Sequence, residues 1–154
     1  MIISSNSVTI ELHNYPKQLS FVKDSLEGIV IKFKNYFEIK EIFSEISFIS
    51  KEQIKEINKK FRNIDKATNV LTFPSQELKG MTNNCHGEIL ICMEVLEQES
   101  IDQDKKIENH FFHLLIHSFL HLLGYMHDKE DDAILMESRE IEFLANIGVD
   151  NPYK

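Results

Sequence analysis

The segment from about Lys105 to Leu123 constrains this chain more than any other. It reads as one helix whose apolar residues, among them Phe111, Phe112, Leu115, Ile116, Phe119 and Leu122, cover nearly every face. A helix that is apolar all round belongs inside a protein or inside a membrane. No apolar run reaches the roughly 18 residues that a bilayer-spanning helix needs, so the first alternative holds. The rest of the chain must therefore wrap this helix. Gly124 follows it directly, as a C-terminal glycine commonly does.

The remaining elements can be read from periodicity. Val8 to Leu12 alternates like a half-buried strand. Asn14 is placed to cap a long helix, with Pro16 in its first turn and Leu19, Val22, Leu26, Ile29, Val30 and Phe33 at helical spacing up to about Tyr36. Ile46–Ile49 is a second strand. Ser50 and Gln53 then form a capping-box pattern for a helix presenting Ile54, Ile57 and Phe61 on one face. Asn69–Phe73 is a third strand, stopped by Pro74, and residues 75–86 form the longest loop. Glu88–Cys92 is a fourth strand, apolar enough to be central. A short helix is expected near 93–99, and a last one from about 130 to 147, closed by Gly148. Interspersed helices and strands indicate an α+β or α/β arrangement with helices on a small sheet. At 154 residues, one domain over 1–154 is expected.

Charge and cysteine content narrow the function. The net charge of −8 argues against a general nucleic-acid coat protein, because non-specific binding depends on neutralising phosphates. It leaves room for an enzyme with a local basic patch. Cys85 and Cys92 match neither a disulfide framework nor CxxC spacing. The N-terminus lacks the pattern of a secretory signal, and a reducing cytoplasm is the expected location.

The chemistry sits at the end of the buried helix. His117 and His121 are four residues apart, so both imidazoles leave one helical face. Gly124 can turn the chain so that His127 supplies a third nitrogen. Three neutral imidazoles leave zinc its full charge and one open position. His110 and His113 are expected to be structural or on the surface, and His13 and His86 to be surface residues. Cys85-His86 is a weaker candidate pair. The glutamate that a metalloprotease HExxH motif requires is replaced by Ser118, which disfavours a peptidase.

Two charged stretches stand out. Residues 51–66 carry Lys51, Lys55, Lys59, Lys60, Arg62 and Lys66 against Glu52, Glu56 and Asp65. Arg62, at the predicted helix end, has the planar guanidinium suited to clamping a phosphate. Residues 128–142 hold seven acidic side chains against Lys129 and Arg139, which suggests a solvated face or one that meets a basic partner.

His117-x3-His121-x5-His127, with Leu122-x-Gly124-Tyr125, resembles the signature of the YbeY family of bacterial rRNA maturation endoribonucleases. The stretch Arg62-Asn63-Ile64-Asp65-Lys66-Ala67-Thr68-Asn69-Val70-Leu71-Thr72-Phe73-Pro74 is similar to a second family block. Gly87-Glu88-Ile89 looks like the family's Gly-Asp/Glu-Ile strand, and Asn151-Pro152-Tyr153 is similar to a common family ending. The likeness runs from about residue 50 to the end.

This resemblance implies an α+β, zincin-like fold: a four-stranded mixed sheet with helices around a buried metal-bearing helix. It implies one Zn2+ held by His117, His121 and His127, and Arg62 as the functional arginine. The implied activity is metal-dependent cleavage of single-stranded RNA at the 3′ end of the small-subunit rRNA, tied to ribosome quality control. The small ribosomal subunit and an assembly GTPase are the implied partners. Three positions depart from the family pattern: Ser118 replaces glycine, Met126 replaces an aspartate before the third histidine, and Ala67 replaces proline. Asp128 is a candidate to take over the support lost at Met126.

On this reading zinc activates water or polarises a phosphate oxygen, and Arg62 offsets the charge that builds on phosphorus. Glu88 is a weak candidate for general base. Two rival readings stay open at this point: a non-catalytic assembly factor with structural zinc, and a metal hydrolase of another substrate.

Overall fold

The computed structural model describes residues 1–154, and the apolar helix lies at its centre. In α4, Ile107–Leu122, ten of the sixteen residues are buried, on every side. The other helices are α1 (Lys23–Tyr36), α2 (Lys51–Arg62), α3 (Met93–Asp102) and α5 (Glu130–Asn146). The strands are β1 (Ile2–Ser5), β2 (Val8–His13), β3 (Glu41–Ile49), β4 (Val70–Pro74) and β5 (Asn84–Cys92). They form one mixed sheet in the order β1-β2-β3-β5-β4. The two inner pairings, β2 with β3 and β3 with β5, are parallel, and the two outer ones are antiparallel. No helix is long and apolar enough to cross a membrane.

The sheet has five strands, not the four expected. The extra strand is β1, an edge strand of which only Ile3 is buried. Its signal is faint because Ser4-Ser5-Asn6-Ser7 is polar, and the turn into β2 is made by Ser7 in a left-handed conformation (φ 59°) rather than by glycine. Two other strands are longer than expected. β3 begins at Glu41 and alternates strictly between exposed and buried as far as Ile46. β5 begins at Asn84, inside the stretch expected to be loop. Its polar start is held by parallel pairing with β3, Glu41 opposite Asn84 and Phe43 opposite His86.

The helix expected from Asn14 to Tyr36 is two elements. Residues Lys17–Val22 form a 3-10 turn after Pro16, and α1 begins at Lys23. Asn14 is left-handed (φ 57°) and caps nothing. Leu19 and Val22 are buried three residues apart while Phe21 is exposed, a spacing that fits three residues per turn.

One sheet face packs on α1, α4 and α5 around an aromatic hub. The Phe33 ring of α1 lies 5.3 Å from Phe119 of α4 and 5.3 Å from Phe143 of α5. The opposite face is half covered by α2, which seals a smaller cluster of Ile54, Leu71, Leu90 and Cys92. The capping box of α2 is formed: Gln53 N–H donates to Ser50 Oγ at 3.1 Å and Ser50 N–H to Gln53 Oε1 at 3.0 Å. Phe61 does not share the buried face with Ile54. It is exposed, with its ring 5.4 Å from that of Phe73.

Candidate metal centre

The end of α4 places its histidines through backbone hydrogen bonds. Tyr125 N–H donates to the Leu120 carbonyl at 3.0 Å and Gly124 N–H to that of His121 at 3.0 Å, the paired bonds of a Schellman cap. Gly124 has φ +105°, and a Cβ there would stand 2.5 Å from the Gly80 carbonyl oxygen. Both the conformation and the close approach require glycine. Gly124→Ala is therefore expected to lower stability by more than about 1 kcal/mol and to weaken metal binding, because the turn aims His127. Urea unfolding and a Zn2+ competition titration check the two effects.

This turn brings the three histidines together. The His121 and His127 rings are 4.6 Å apart and those of His117 and His127 5.4 Å. One nitrogen from each of the three lies within 4.8 Å of the other two.

Hydrogen bonds settle the tautomers of the helical pair. His117 Nδ1 lies 2.6 Å from Glu140 Oε1, and His121 Nδ1 lies 3.0 Å from the Tyr125 carbonyl oxygen. A carbonyl and an ionised carboxylate only accept, so both rings carry their proton on Nδ1. Their Nε2 atoms then present lone pairs to each other at 3.1 Å. Two acceptors at that distance need a proton or a metal ion between them. Two nitrogens on one tetrahedral zinc stand about 3.3 Å apart, so the donor set fits such an ion. His121 is held at about 4, first by burial and then by the neighbouring His117 and His127, and is neutral at neutral pH.

Glu140 was not singled out from the sequence. It falls within the acidic stretch expected to be solvated or to meet a basic partner, yet its side chain is 0% exposed. Its Oε2 accepts from His113 Nε2 at 2.8 Å and from the Tyr153 hydroxyl. Burial raises its pKa, but the hydrogen bonds of His113 and His117 outweigh burial and hold it at about 2. It is therefore an anion behind His117. The signal was its spacing: Met136, Glu140, Phe143 and Leu144 form the buried stripe of α5, and a carboxylate in such a stripe needs partners.

His110 is structural, 2.9 Å from Glu99, whose carboxylate also accepts from Asn69. His113 is structural too, but it belongs to the network behind His117. His13 is exposed. Cys85 and His86 project from opposite faces of β5 and cannot chelate together; Cys85 faces α4, its Sγ 3.6 Å from the Phe119 carbonyl. Glu88 does not reach the histidines. A Cβ on Gly87 would meet Leu122 of α4, so the next residue faces away from that helix. Ser118 is fully buried, with its hydroxyl satisfied by the Leu114 carbonyl at 2.8 Å. Met126 and Asp128 are exposed, and Asp128 makes no hydrogen bond to any of the three histidines. Support comes from Glu140 and the Tyr125 carbonyl instead.

Arg62 is the last residue of α2, on the other side of the sheet from α4. It is exposed and makes no ion pair, and it does not line the cavity of about 320 Å³ beside His117 and His127. Lys55 and Lys59 face Asp65 at 4.0 and 3.8 Å. Edge strand β4 lies between the two sites, packed by α2 through Leu71 and touched by α4.

A mixed-sheet α+β domain carries, on and after its buried helix, three convergent imidazoles that could hold a metal ion beside open solvent. The sequence profile described as Endoribonuclease YbeY matches residues 9–148. An Endoribonuclease YbeY from Francisella philomiragia is 36% identical over 155 residues, covering 98% of this chain and 95% of the relative. The solution structure of TM1509 from Thermotoga maritima is similar with a TM-score of 0.60 at 28% identity, covering 90% of this chain and 88% of that one. The chain belongs to the YbeY family of endoribonucleases.

Proposed function

We propose that this chain, as one domain over 1–154, is a zinc-dependent endoribonuclease that cleaves single-stranded RNA in maturation of the small-subunit rRNA. The observation that carries the reading is the facing pair of lone-pair nitrogens on His117 and His121, with His127 closing the third side. Three neutral nitrogen donors and an open fourth position are the pattern of a catalytic rather than a structural zinc site. The zincin-like arrangement, with two ligands on a buried helix and a third after a glycine turn, is part of this proposal.

When bound, zinc supplies Lewis acidity at a phosphodiester, either by making water a stronger acid or by drawing charge off a phosphate oxygen. The chain's own residues do the rest. Glu140 and the Tyr125 carbonyl hold the protons of His117 and His121 on Nδ1, so that both Nε2 atoms face the site. Arg62 has no intramolecular partner, so its five N–H donors are available to a phosphate of RNA lying across the β4 edge. The acidic first turn of α5, Glu130, Asp131 and Asp132, disfavours RNA on that side. Membership of the family supports a cytoplasmic role with the small ribosomal subunit and an assembly GTPase as partners, and a part in ribosome quality control.

The test is cleavage of an end-labelled single-stranded RNA by the full chain. Cleavage is expected, lost on chelation and restored by Zn2+. A metal-loaded chain that never cuts RNA would displace this reading in favour of an assembly factor.

A further inference from the structure

The ending Asn151-Pro152-Tyr153 takes no part in the mechanism above, yet it is folded back onto the metal centre. Lys105 Nζ donates to the Pro152 carbonyl at 2.6 Å, and Tyr153 N–H donates to Asn151 Oδ1 at 2.9 Å. These bonds lay the Tyr153 ring edge-on against His113, with centroids 5.3 Å apart. The phenol hydroxyl donates to Glu140 Oε2. The same side chain lines the cavity that His117 and His127 open into.

We propose that Tyr153 is a positioning residue for His117, acting through Glu140 together with His113; this rests on reading the three histidines as the metal centre. The Glu140 carboxylate has two oxygens, and both are held. Oε1 fixes the ring and proton of His117. The last torsion of a glutamate is broad and roughly two-fold, so an otherwise free carboxylate could swap or tilt its oxygens. Oε2 is held from two directions, by the Tyr153 hydroxyl and by His113 Nε2. Pinning Oε2 pins Oε1, and with it the direction of His117 Nε2. The carboxylate is wholly removed from water, so these donors also replace its hydration. Groups in this position behind a metal-binding histidine typically change metal affinity by about 10- to 100-fold.

The experiment is a double-mutant cycle on the full chain, read as Zn2+ affinity by competition with a chromophoric chelator. Tyr153→Phe keeps the ring and removes only the hydroxyl. It is expected to weaken Zn2+ binding about 10-fold and to lower the thermal midpoint of the metal-free protein, because the buried carboxylate loses one of its donors. In the Glu140→Gln background the same change is expected to have a much smaller effect, because the hydroxyl no longer donates to a buried carboxylate there. A tail that merely packs would give equal losses in both backgrounds. Equal losses, or wild-type affinity in Tyr153→Phe, overturn the proposal. If E140Q does not fold, the visible spectrum of the Co2+-loaded Tyr153→Phe chain decides: altered bands support the positioning role, and bands and affinity identical to wild type overturn it. Failure of the wild-type chain to bind Zn2+ at all overturns the metal centre itself, a result distinct from an unaffected tail variant.

Discussion

Alanine at His127 should remove the metal and leave the fold, whereas alanine at His117 should cost both. His127 is exposed, and its ring makes no hydrogen bond. Its loss therefore subtracts a ligand and little else. A fully protein-ligated zinc contributes about 10–16 kcal/mol, so one ligand of four is worth roughly 3 kcal/mol, or about 10²-fold in affinity. His117 differs because its Nδ1–H serves the buried Glu140. Removing a hydrogen-bond donor to a buried charged group costs about 1.5–3 kcal/mol. Two measurements separate the variants: Zn2+ competition, where both should lose affinity by about 10²-fold or more, and urea unfolding of the metal-free chains, where only His117→Ala should shift. RNA cleavage is expected to vanish in both. Wild-type Zn2+ affinity in His127→Ala would strike His127 from the ligand set.

What could be read from the residues follows how local each signal is. The buried helix, the capping box of α2 and the glycine turn into His127 are each written within a few residues, and each forms. Gly124 was legible as a turn, but its contact with Gly80 was not, since that loop is brought in only by the fold. β1 escaped because an edge strand buries one face of a few residues and leaves little period to detect. The start of β5 escaped because polar Asn84 and His86 owe their extended form to β3, not to their own propensity.

The same division runs through the site. Helical spacing placed His117 and His121 together, and the hinge brought His127 to them. Glu140 was hidden by composition: Glu130, Asp131 and Asp132 are exposed, so the surrounding charge disguised one carboxylate whose helical phase put it inside. Tyr153 was visible only as part of a short ending. Its meaning lies in a contact forty residues from His113, which no local pattern encodes. Conversely, residues 51–66 carry six basic side chains against three acidic ones, and pairing of Lys55 and Lys59 with Asp65 reduces that excess, leaving Arg62 as its unpaired guanidinium.

Arg62→Ala is expected to lower kcat for RNA cleavage by about 10²- to 10³-fold, the usual consequence of removing one donor to a developing oxyanion. Stability should hold, since Arg62 is exposed and its helix is already closed by the left-handed Asn63. Zn2+ affinity should hold too, because no histidine depends on it. The geometry makes the choice of kinetic parameter decisive. α2 lies on one side of the sheet and α4 on the other, with edge strand β4 between. RNA spanning that edge offers Arg62 either the phosphate being cut or a neighbouring one. A neighbouring phosphate would be held equally in ground and transition states, so its loss would raise KM, spare kcat and reduce the salt slope by about one counterion. Michaelis kinetics of Arg62→Ala at several salt concentrations distinguish the two. A fall in kcat at saturating RNA places the guanidinium on the reacting phosphate. Unchanged kcat with a raised KM and a shallower slope moves Arg62 from chemistry to substrate anchoring, and leaves charge stabilisation on phosphorus to the metal centre.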